Sequence, residues 1–144
     1  MRISDILRSK GSFVATVPPD VTVAEVVAEL SRLKVGALVV SSDGQHIDGI
    51  VSERDVARHL HLLGGSVMEQ GVTSIMTSEV RTCRPDDDVE SLMVTMTDLR
   101  IRHVPVLRDD VLAGIVSIGD VVKSRIAELE QERQTLVDYI TTGR

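Results

Sequence analysis

This chain is written twice, and the duplication limits its architecture more than any other feature. One constant spacing aligns Pro19, Asp20, Val23, Leu33 and Val40 with Pro85, Asp86, Val89, Leu99 and Val106. Past the strand turn, a slightly shorter spacing aligns Gly49, Ile50, Val51, Ser52, Asp55 and Val56 with Gly114, Ile115, Val116, Ser117, Asp120 and Val121. Two units cannot make an extended solenoid, because each inner face would have a single neighbour to cover it. They can bury each other's faces, which predicts one pseudo-twofold domain.

Within each unit the pattern reads β-α-β-β-α. Val23, Val26, Val27, Leu30 and Leu33 recur at helical spacing, as do Val89, Leu92, Met93, Met96 and Leu99. Thr22 with Glu25 reads as a capping box, and Asp88 as an N-cap. Short extended segments, Val14 to Val17 and Val80 to Cys83, precede the helices. Hairpins follow them, Ala37 to Ser41 with Ile47 to Ser52 and His103 to Leu107 with Leu112 to Ser117, turning at Asp43-Gly44 and Asp109-Asp110. The expectation is an α+β fold of two units, 1–66 and 67–144. Gly64-Gly65 ends a helix, and Ser66 to Thr77 reads as a connector with a helical turn near Val72 to Met76. The last helix, from about Gly119 to Thr141, carries Val122, Ile126, Leu129, Leu136 and Ile140 on a seam interrupted by Arg133. Either its tail is a solvated helix, or it covers another subunit.

Composition narrows the function. The 144 residues hold only Phe13 and Tyr139 as aromatics, so no platform for base stacking exists, and the net charge of −6 opposes binding to phosphate backbones. No nucleic-acid partner is expected. One cysteine, Cys83, forms no disulfide framework, and no signal peptide or long apolar run is evident; the expectation is a soluble cytoplasmic protein with no membrane partner. His46, His59, His61 and His103 are scattered, without acids or cysteines at ligand spacing, so no metal site is expected. Cys83 reads as a buried apolar residue, and Met68, Met76, Met93 and Met96 as core and connector filling. With no paired base and nucleophile and no Walker loop, an enzyme is not expected.

Ser52-Glu-Arg-Asp55 and Ser117-Ile-Gly-Asp120 each stand where a strand turns into a helix. Such a Ser and Asp can simply cap the helix. They can also bind a ligand: amides and hydroxyl suit a phosphate, and the acceptor-only Asp suits the paired hydroxyls of a ribose.

At these residues the chain resembles a tandem pair of CBS domains, named for cystathionine β-synthase, in the arrangement called a Bateman module. Gly49-Ile-Val-Ser-Glu-Arg-Asp-Val and Gly114-Ile-Val-Ser-Ile-Gly-Asp-Val carry the resemblance, with Val35-Gly-Ala-Leu-Val-Val, His103-Val-Pro-Val and Ile75-Met-Thr. It implies two clefts between the repeats, each able to hold AMP, ADP, ATP, NAD(H) or S-adenosylmethionine. One cleft would combine Ile115, Ser117 and Asp120 with Ala15, Thr16, Val35, Gly36 and Ala37. The other would combine Ile50, Ser52 and Asp55 with Val80, Arg81, Ile101, Arg102 and His103, with Arg54 beside it. Asp55 and Asp120 would take ribose, and Ser52 and Ser117 phosphate. Arg81, Arg102 and His103 make the Asp55 cleft the more basic, hence the one for more phosphate. The implied function is a regulatory adenine-nucleotide sensor, forming a homodimer and acting on a separate, unidentified protein or through self-assembly. A constitutive scaffold with non-functional clefts is the alternative.

Overall fold

Both duplicated helices start on the side chains expected to cap them. In this computed structural model, which describes residues 1–143, helix α2 (Val23–Leu33) begins at Thr22, whose side chain accepts the Glu25 N–H. Helix α4 (Val89–Leu99) begins at Asp88, which accepts the Ser91 N–H. The box expected at Thr22 closes on one side only: among the described residues no return bond from Glu25 is formed. Its carboxylate is exposed and already solvated. Each helix ends on a residue in the left-handed conformation, Lys34 and Arg100, both with φ 55°.

Strand β1 (Thr16–Val17) runs parallel to β2 (Ala37–Val40), which pairs antiparallel with β3 (Gly49–Ser52) in the order β1-β2-β3. In the second unit β4 (His103–Arg108) pairs with β5 (Val111–Ser117) across Asp109 and Asp110, both at positive φ. The extended segment expected over Val80 to Cys83 shrinks to one parallel bridge between Cys83 and Val106. The cause is Pro105. In the first unit the Val39 N–H donates to the Ala15 carbonyl, but Pro105 stands at the position of Val39 and has no N–H. Only the flanking bonds survive, Cys83 N–H to the Pro105 carbonyl and Leu107 N–H to the Cys83 carbonyl.

Helix α1 (Ile3–Lys10), which the repeat pattern did not suggest, opens the first unit in sequence but packs on the second. Ile3, Ile6 and Leu7 share a core with Cys83, Val89, Leu92, Met96, Val104, Val106, Val116 and Val121. Conversely Val67, Val72 and Ile75 of the connector, folded as 3-10 turns at Gly64–Glu69 and Val72–Ser74, complete the core of Val17, Val23, Val26, Leu30, Leu38, Val40 and Val51. Each unit is finished by the segment that leads into the other. Two isolated bridges mark the same exchange, Arg2 with Asp88 and Gly71 with Thr22. So do two close approaches: a Cβ on Gly114 would meet Leu7 Cδ2 at 2.7 Å, and a Cβ on Gly49 would meet Met76 Sδ at 2.5 Å. Duplicated glycines let duplicated segments lie against β3 and β5.

Helices α3 (Glu53–Leu63) and α5 (Ile118–Thr142) leave β3 and β5 through capping boxes at Ser52 and Ser117. Along α5 the seam residues Val122, Ile126, Leu129, Leu136 and Ile140 are all exposed. No helix among the described residues is long and apolar enough to cross a membrane.

Candidate functional site: a cleft between the repeats

A capping box places Asp55 at the mouth of a cleft while using only part of its carboxylate. Oδ2 accepts the Ser52 N–H at 2.9 Å and the Ser52 hydroxyl at 3.0 Å. Oδ1 lies 3.8 Å from the Arg58 guanidinium, with the side chain only 13% exposed. The Glu53 N–H is taken by the Gly36 carbonyl at 3.0 Å and the Asp55 N–H by Ser52 Oγ at 3.2 Å. Part of the helix N-terminus is therefore spent on its own caps, so a phosphate here would lean on side-chain cations.

Those cations are present. A cleft of about 440 Å³ is lined by Ile50, Ser52, Arg54 and Asp55 from the β3–α3 turn and by Val80, Arg81, Ile101, Arg102 and His103 from the second unit. Every residue expected in the Asp55 cleft lines it. So do Glu53, Arg58, Thr77, Glu79, Leu99 and Arg100, which sequence reasoning missed. Arg58 lies one turn beyond Arg54, and Arg100 is the left-handed end of α4, a position that the sequence does not mark. Arg54, Arg58, Arg81, Arg100 and Arg102 face Glu53, Asp55 and Glu79, a surplus of positive charge in a protein whose net charge is −6.

Gly36, expected in the first cleft, lines this one as well. It has no side chain, and a Cβ there would meet His103 Cε1 and Nε2 at 3.1 Å, so the imidazole fills the space. Burial holds the His103 pKa below its ordinary value, aided by Lys10 and Arg102 and opposed by Asp120 and Glu53. The ring thus feels charges of both expected clefts.

The residues expected in the first cleft are placed differently, and of them only Gly36 lines the Asp55 cleft. Ser117 and Asp120 form the same reciprocal box, but Asp120 Oδ2 also accepts from Lys10 Nζ at 2.7 Å, and Lys10 donates to the Ile115 carbonyl at 2.9 Å. Burial raises the Asp120 pKa, yet the Lys10 hydrogen bond, the Ser117 N–H and the Lys10 charge outweigh it and hold the group below its ordinary value. Ala15, Thr16, Val35 and Ala37 make their backbone bonds within the first unit. Ala15 and Thr16 pair along β2, Val35 donates to the Leu30 carbonyl, and Ala37 lies opposite Ser52.

Cys83 is buried, and burial pushes its thiol up to about 12, so it is no ready nucleophile. No cluster of metal-ligating side chains occurs among the described residues.

The CBS domain model matches residues 3–62 and 72–127. The chain belongs to the CBS-domain family. CBS repeats thus account for both halves, α1 included, while the last turns of α5 lie beyond the match. Among relatives, the mitochondrial CBS domain-containing protein CBSX3 of Arabidopsis thaliana is 40% identical over 149 residues, covering 98% of this chain and 72% of that one. Among solved structures, the CBS-domain protein ATU1752 of Agrobacterium tumefaciens superposes with a TM-score of 0.84 at 42% identity, covering 87% of this chain and 99% of that one. The CBS domain protein PAE2072 of Pyrobaculum aerophilum, solved complexed with AMP, matches with a TM-score of 0.74 at 29% identity, covering 83% of this chain and 89% of that one.

Proposed function

We propose that this CBS pair is a regulatory module that binds an adenosine ligand carrying phosphate in the Asp55 cleft. The observation that carries the reading is the convergence on one cleft of Asp55 and Ser52 with Arg81, Arg102 and His103 from the other repeat. A ribose would hydrogen-bond Asp55, its phosphates would lie among the arginines, and Ile50, Val80 and Ile101 would pack on the adenine. The AMP held by the Pyrobaculum relative supports an adenosine ligand. AMP, ADP, ATP and NAD(H) all fit the charge, and S-adenosylmethionine, which lacks a phosphate, fits it least. On this reading the protein acts by binding rather than turnover.

A ligand bridging both repeats shifts their packing, and a coupling of about 1–3 kcal/mol suffices to switch a partner interaction. The regulated protein is a separate chain, or a second copy. The exposed seam of α5 supports a homodimer, because so regular an apolar stripe is costly to leave in water. A reducing, cytoplasmic setting suits the single buried thiol.

The test is thermal unfolding against AMP, ADP, ATP, NAD, NADH and S-adenosylmethionine. A ligand at 100 times its Kd adds about 2.7 kcal/mol. A phosphate-bearing adenosine ligand is expected to raise Tm. Asp55→Ala, which removes charge-assisted acceptors, should weaken that ligand about 10- to 100-fold while unfolding stays cooperative. If no ligand shifts Tm, the reading gives way to a constitutive scaffold with non-functional clefts.

A further inference from the structure

The two Ser-x-x-Asp turns differ at one neighbouring position where the duplication inverts the charge. Because α1 and the connector are exchanged counterparts, Leu7 against Gly114 corresponds to Met76 against Gly49. Lys10 follows Leu7 at the same interval as Glu79 follows Met76. Glu79 lines the Asp55 cleft, where two carboxylates cannot pair. Lys10 instead reaches Asp120 Oδ2 at 2.7 Å and the Ile115 carbonyl at 2.9 Å. The corresponding Ile50 carbonyl takes the Thr77 N–H at 2.9 Å. One position in the fold is satisfied by backbone in one half and by a lysine ammonium in the other. The Lys10 and Asp120 side chains are 32% and 22% exposed, so water screens the pair only in part.

We propose that Lys10 is the residue that decides whether the first cleft fills. Its ammonium group is a built-in occupant of the point where the Asp120 carboxylate and the Ile115 carbonyl meet, and an adenosine ligand enters only by displacing it. This rests on the adenosine-binding reading given above. It follows that the clefts fill in order, that of Asp55 first and that of Asp120 at higher concentration. The exchange of α1 between the units turns an N-terminal helix into a selector for the far end of the chain.

Calorimetric titration of the full chain with AMP and with ATP tests the idea. Lys10→Met keeps most of the alkyl stem and removes the charge; Lys10→Gln serves if the Met variant fails to unfold cooperatively. The expected result is a binding event strengthened about tenfold or more in the Lys10 variant. Asp120→Ala, added to that variant, should remove this event, and the event removed by Asp55→Ala should be unchanged. If the Asp120-dependent event has wild-type affinity, or is weaker without Lys10, the proposal is overturned while the adenosine reading stands. If neither nucleotide binds the wild type or the Lys10 variant, both fall.

Discussion

Replacing Gly49 by Ala puts a methyl group where the connector already lies. The new Cβ would meet Met76 Sδ at 2.5 Å, the Thr77 carbonyl oxygen at 2.9 Å and Met76 Cγ at 3.0 Å. Methionine can swing aside, but Thr77 cannot: its backbone exchanges two hydrogen bonds with Ile50, each 2.9 Å. Relief therefore means moving the connector off β3, at the usual overpacking cost of about 1–3 kcal/mol. For a chain of this size that lowers Tm by roughly 3–10 °C. Gly114→Ala is the internal control. There the Cβ would meet only side-chain atoms of Leu7, at 2.7, 3.0 and 3.4 Å, and a side chain can repack more readily than a hydrogen-bonded backbone. The expected order of stability is wild type, then Gly114→Ala, then Gly49→Ala, measured by thermal and urea unfolding. Because Thr77 lines the Asp55 cleft, Gly49→Ala should also weaken ligand binding. A Gly49→Ala protein as stable as wild type, or more stable than Gly114→Ala, would refute the reasoning.

Two further outcomes are expected. The folded-state pKa of His103 lies below its ordinary 6.5, so as pH falls the unfolded chain takes up the proton first. Its contribution is full above about pH 6.5 and declines as pH drops through that value toward the folded pKa. His103→Gln should therefore flatten the dependence of urea midpoint on pH between about 7 and 5, and an unchanged slope would place the titration elsewhere. Removing residues from Glu130 onward should leave cooperative unfolding intact, because Leu136, Val137, Tyr139 and Ile140 are exposed. Sedimentation should show weaker self-association of the shortened chain, and an unaltered mass would count against the α5 seam as a dimer contact.

Much of the fold was legible because its signals are local. Apolar stripes, caps at Thr22, Asp88, Ser52 and Ser117, and paired turns each need only a few neighbouring residues. The Asp55 cleft was legible for a different reason, since its members come from the family resemblance rather than from any spacing. What escaped is long-range. Ile3, Ile6 and Leu7 have helical spacing, but too few residues to stand out, and nothing near them says that they pack on Val104, Val106 and Val116. Lys10 escaped with them, because its contact with Asp120 exists only after α1 has crossed to the other unit. The shrunken strand before Pro85 follows from Pro105, which has no N–H to give to a pairing strand. Gly36, expected in the first cleft, leaves a space that the His103 imidazole fills from the second unit.

The exchange of α1 also bears on the order in which the molecule can be made. Ile3, Ile6 and Leu7 leave the ribosome before the first unit, yet their partners Val104, Val106, Val116 and Val121 arrive at the far end of the chain. Until then that helix has an apolar face and no place to bury it, and closing so long a loop is slow. The first unit has a shorter wait, since Val67, Val72 and Ile75 follow directly behind it. Nascent chains stopped after the connector should therefore hold one nearly finished core and one stranded helix, and it is there that a chaperone would find its grip.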